Sequence, residues 1–125
     1  MIISDNIKRI LFYVFAILSL LAAIYHFTGI FYKINNSPVW RHAIFVVVNL
    51  FCIYGFLKRP KYFIYFYIIL LIQQYYSHGQ HLIRMWNLEH KVHWISFAVL
   101  VLMPIGLICL LADYKTNKIV NNQMK

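Results

Sequence analysis

Four stretches of this chain, Ile10 to Tyr32, Pro38 to Leu57, Tyr62 to Ile83 and Val92 to Ala112, are long and apolar, and together they leave little else. A bilayer's hydrocarbon layer is roughly 30 Å thick and takes about 20 helical residues to cross. In lipid every backbone N–H and C=O must find its partner within the chain, so only helices and closed barrels span. The tyrosines, phenylalanines and valines suit strands, but nothing here shows the ten-residue alternation of a barrel strand. With 62% apolar and only 12% charged residues, a chain of 125 residues carries far more grease than a water-soluble core of that size encloses.

The sequence therefore predicts an all-α integral membrane four-helix bundle, a single domain over 1–125, with helices at about 10–32, 38–57, 61–86 and 90–112. The breaks have matching chemistry. Ser37-Pro38 offers a hydroxyl cap before a proline at a first helical position, Lys58-Arg59-Pro60-Lys61 stops one helix and starts the next, and Asn87 is placed to open the fourth. The first window is too long for a signal h-region and lacks an A-x-A site, so it reads as a retained anchor. Pro104 with Gly106 marks a kink in the fourth helix.

Basic residues in short loops stay on the cytoplasmic side. With both termini cytoplasmic, the inner face collects Lys8, Arg9, Lys58, Arg59, Lys61, Lys115, Lys118 and Lys125, against Lys33, Arg41, Arg84 and Lys91 outside. This predicts a multi-pass protein of the bacterial inner membrane. The net charge of +9 then serves anionic lipid rather than nucleic acid, and the bilayer is the first partner, with a homo-oligomer or larger membrane complex as the second. Cys52 and Cys109 both fall inside helices, which argues against a disulfide framework.

Six histidines remain, and on this topology all lie toward the outer end: His26, His42, His78, His81, His90 and His93. On the third helix Gln74, His78 and His81 share one stripe, and on the second His42 and Asn49 share a face. On the first, Ser19, Ala22, Ala23 and His26 form a small-residue stripe suited to close helix packing. Polar groups at membrane depth turn inward or to a wet cavity, so these stripes are expected to meet. Counting rise from the outer helix ends places His26 and His78 deepest, His42, His81 and His93 nearer the surface, and His90 in a loop.

Converging imidazoles suit zinc, copper or iron, which makes His26, His42, His78, His81 and His93 candidate metal ligands, with Gln74, Asn49 and Glu89 supporting them. Two deep imidazoles, His26 and His78, suit the axial positions of a b-type haem instead. Either cofactor implies redox chemistry or metal handling, the metal acting in an enzyme as redox centre or Lewis acid. The competing readings are a non-enzymatic accessory subunit, an oligomeric pore, or a pH sensor that uses the same histidines without metal. The blandest has them hydrogen-bonding only one another, tyrosines and water. The pairs "HGQH" and "HKVH" lack the adjacent histidines of membrane di-iron enzymes, and neither HExxH nor paired carboxylates occur.

Overall fold

The computed structural model describes residues 4–123, with side chains through residue 116. These residues form four helices and no strand: α1 (Asp5–Phe31), α2 (Val39–Lys58), α3 (Lys61–Glu89) and α4 (Trp94–Gln123). Three of them, α1, α2 and the Trp94–Thr116 part of α4, are long and apolar enough to cross a membrane. The four apolar windows thus reduce to three. With 29 residues, α3 runs about 43 Å, but Gln73, Gln74, Ser77, His78, Gln80, His81 and Arg84 dilute its C-terminal half. Large apolar side chains stand exposed along α1, among them Ile10, Ile17, Leu21 and Ile24, as lipid-facing positions require.

The chain divides at Pro60 into two helical hairpins. In the first, α1 buries Phe12, Phe15, Ala16, Ser19 and Ala23, which share one helix face, and Gly29 near its C-terminal end. From α2 come His42, Cys52, Gly55 and Phe56. Phe15 stacks on Phe56 with ring centroids 5.2 Å apart. Small residues let the two backbones approach, which matters in lipid, where close packing and hydrogen bonds drive helix association.

The helix ends differ from the sequence reading in instructive ways. Helix α1 begins five residues early because its polar first turn is helical too, held by an Asp5–Lys8 ion pair at 2.7 Å across an i, i+3 step. The hydroxyl cap at Ser37 does not form; Pro38 is the N-cap residue, and Ser37 gives its backbone N–H to Asn35 Oδ1 at 2.8 Å. Asn87 does not open α4 but lies inside α3, which ends only where His90 turns left-handed at φ 51°. Arg59, at φ 52°, ends α2 in the same way, as the Lys58–Lys61 break anticipates.

In the second hairpin Phe63 and Tyr67 are buried from α3, and Ser96, Cys109 and Leu110 from α4. Pro104 sits inside α4. Lacking an N–H, it deprives the carbonyl four residues earlier, that of Leu100, of its helical partner. The Tyr75 hydroxyl of α3 donates to that carbonyl at 2.7 Å. Tyr67 likewise reaches the Met103 carbonyl at 3.2 Å. Tyr75→Phe is therefore expected to cost about 1–2 kcal/mol by stranding an acceptor in apolar surroundings, read as a lowered unfolding midpoint in detergent. No change would mean that water or lipid headgroups already satisfy Leu100.

Candidate functional site

The first hairpin builds a polar network where α1 ends and α2 begins. His26 and His42 bring their Nδ1 atoms to 3.0 Å. Their Cα atoms differ in depth by only about 3 Å on helical rise, less than the reach of an imidazole, so the expected deep and shallow layers merge here. The ring of His42 is almost wholly enclosed, at 2% exposure. Its Nε2 lies 3.2 Å from Asn35 Oδ1, and Asn35 in turn donates through Nδ2 to the Tyr25 hydroxyl at 3.1 Å.

These partners fix the protons. An amide oxygen only accepts, so His42 Nε2 donates and, in the neutral ring, Nδ1 is bare. His26 Nδ1–H therefore donates to it, and one proton serves the pair. Phe45 stacks against His26 at 5.0 Å, with the rings 20° from parallel. Gly29 faces His42 so closely that a Cβ there would lie 2.6 Å from His42 Nδ1. An open cleft lined by Gly29, Tyr32, Lys33, Asn35, Asn36 and Val39 borders the network, so Asn35 touches both the cleft and His42.

The second hairpin holds His78, His81 and His93 around Ser96. Ser96 Oγ lies 3.0 Å from His78 Nδ1 and 2.8 Å from His93 Nδ1. The Ser96 backbone N–H also donates to His93 Nδ1, at 3.2 Å. His93 thus caps α4: its carbonyl accepts the first helical bond, from Phe97, while its ring nitrogen takes an otherwise orphaned N–H three residues on. His81 meets the His93 ring edge-on at 4.4 Å. Burial first, and His81 second, hold His93 below the ordinary imidazole value of 6.5.

The five candidate ligands are thus partnered inside their own hairpins. Among the described residues no group of three or more His, Cys, Asp or Glu is arranged to hold a metal ion. Of the supporting residues, Asn49 donates to the Phe45 carbonyl of its own helix at 2.7 Å. Glu89 pairs with Lys91 at 3.7 Å, and Gln74 is half-buried on α3. His90 stands exposed outside the helices.

Sequence reasoning missed Tyr25, Gly29, Asn35, Phe45 and Ser96. Two had a legible signal: Gly29 stands one turn after His26 on the small-residue stripe, and Ser96 stands at capping distance from His93. Compared with known protein families, curated proteins and solved structures, the chain matches none.

Proposed function

We propose that this chain is a non-enzymatic, multi-pass membrane protein that responds to acidification at its histidine-bearing end. The observation that carries the reading is the 3.0 Å contact between His26 and His42 Nδ1. It exists while one nitrogen is bare. One added proton makes a single ring cationic and still leaves a bare nitrogen on the other to accept it; two added protons make both rings cations with N–H groups facing each other inside an apolar hairpin, where like charges repel strongly. The contact must then open, and with it the tie from His42 through Asn35 to the α1–α2 turn.

The excess of basic residues at the opposite end supports cytoplasmic termini, which turns the histidine-bearing end outward, to the external face of a bacterial inner membrane. Zinc, copper or iron, and b-type haem, remain the rival proposal. Two imidazole nitrogens 3.0 Å apart are spaced as adjacent ligands of one ion with bonds of about 2.0–2.1 Å would be.

One measurement tests both. The unfolding midpoint of the full chain in detergent is expected to fall as pH drops from about 8 to about 5, across the imidazole range. His42→Gln, which takes away the imidazole pair, is the comparison variant. His93 contributes with the same sign: its value is lowered in the folded chain, so its share is full above about 6.5 and is lost as pH falls through the folded value. His93→Gln isolates that share. A midpoint flat across the range overturns the proposal. Stoichiometric metal by elemental analysis, or a Soret band, assigns the site to a cofactor instead.

A further inference from the structure

The second hairpin contains three proton-carrying groups in line. We propose that His78, Ser96 and His93 form a proton relay, in which the buried serine hydroxyl passes protons between an imidazole on α3 and one at the α3–α4 turn. The inference rests on contacts within α3, α4 and their turn, not on the His26–His42 pair.

The direction of the resting hydrogen bonds follows from one backbone group. The Ser96 N–H can only donate, and it points at His93 Nδ1 from 3.2 Å, so that nitrogen is bare and His93 carries its proton on Nε2. The Ser96 hydroxyl, 2.8 Å away, then donates to the same nitrogen, and its oxygen accepts from His78 Nδ1–H at 3.0 Å. A proton added at His78 Nε2 allows the Nδ1 proton to move to Ser96 Oγ. The serine's own proton moves to His93 Nδ1, and His93 releases its Nε2 proton at the turn. One proton enters and one leaves. Each N–H or O–H bond broken is matched by one formed, and no other reactant is needed.

Burial favours this role over others for the serine. Ser96 has 0% exposure, which denies a substrate access to its oxygen and rules out nucleophilic attack, but a relay needs contact with two imidazoles only. The titratable groups around it are His81, edge-on to His93, Arg84 one turn beyond His81 on α3, and the Glu89–Lys91 ion pair of the turn. After a transfer, the Ser96 backbone N–H faces a protonated Nδ1, which drives the chain of bonds back to its resting direction.

The test is nitrogen NMR of the full chain with labelled histidine in nanodiscs. At high pH, His78 should be the Nδ1–H tautomer and His93 the Nε2–H tautomer. On titration each ring should show two inflections, because a proton arriving at one is shared with the other. Ser96→Ala should reduce each ring to a single inflection, and Ser96→Thr, which restores the hydroxyl, should recover two. Finding His93 as the Nδ1–H tautomer, or titration curves in Ser96→Ala that superimpose on the parent's, overturns the relay. The tautomers of the unaltered chain decide the matter even if Ser96→Ala does not fold.

Discussion

Gly29→Ala is expected to separate α1 from α2 at their histidine end and to lower the stability of the chain by about 3 kcal/mol. Three energies compete. Alanine is the better helix former by about 1 kcal/mol, which favours the variant. Against it, the new Cβ would lie 2.6, 2.7 and 2.9 Å from three atoms of the His42 ring, and overpacking of that kind costs about 1–3 kcal/mol. The ring is planar and enclosed, so it cannot yield as the tip of a flexible side chain would. Displacing it also takes away the acceptor of His26 Nδ1, at about 1–3 kcal/mol, whereas Asn35 Oδ1 keeps the Ser37 N–H. Gly79→Ala is the control, because a Cβ there meets nothing within 4 Å. That variant should gain up to about 1 kcal/mol from propensity alone. Adding His42→Ala to Gly29→Ala should recover most of the packing cost. Two alanine variants of equal stability would show that His42 is not fixed where α1 meets it.

His42→Ala is the second large effect. The ring is buried with a partner on each side, so its loss opens a cavity and removes the acceptor of His26 Nδ1, for about 2–4 kcal/mol in equilibrium unfolding. His90→Ala should stay within about 0.5 kcal/mol of the parent, since that residue is exposed and outside both networks. This ranking replaces one read from depth alone, which would put His26 and His78 first. Equal losses from His42→Ala and His90→Ala would remove the reason for treating the first hairpin's network as a site.

Periodicity and apolarity made the four helices legible, and with them the membrane. The ends were less legible, because helices continue past the lipid wherever polar residues form a good first or last turn, as Asp5 to Arg9 and Asn87 to Glu89 do. The polar stripes singled out His26, His42, His78, His81 and His93, and the structure places His26 beside His42 and joins His78 and His93 through Ser96. Which of them touch depends on antiparallel register and on turn geometry, and neither has a period. Asn35 reaches His42 only because the α1–α2 turn folds back. As a lone serine in an apolar helix Ser96 carries no pattern; only its three-residue offset from His93 distinguishes it.

The Tyr75–Leu100 bond has a consequence for biogenesis. A growing chain presents α3 to the membrane before α4 exists, and α3 by its own composition is the helix least able to remain there. When α4 follows, it brings a carbonyl that its proline has left bare and that lipid cannot satisfy. Each helix supplies what the other lacks: α4 the apolarity to hold the pair in the bilayer, α3 the hydroxyl that completes α4's backbone. The two are thus suited to enter as one unit, and a chain truncated after α3 should fail to retain it in the membrane, whatever becomes of the first hairpin.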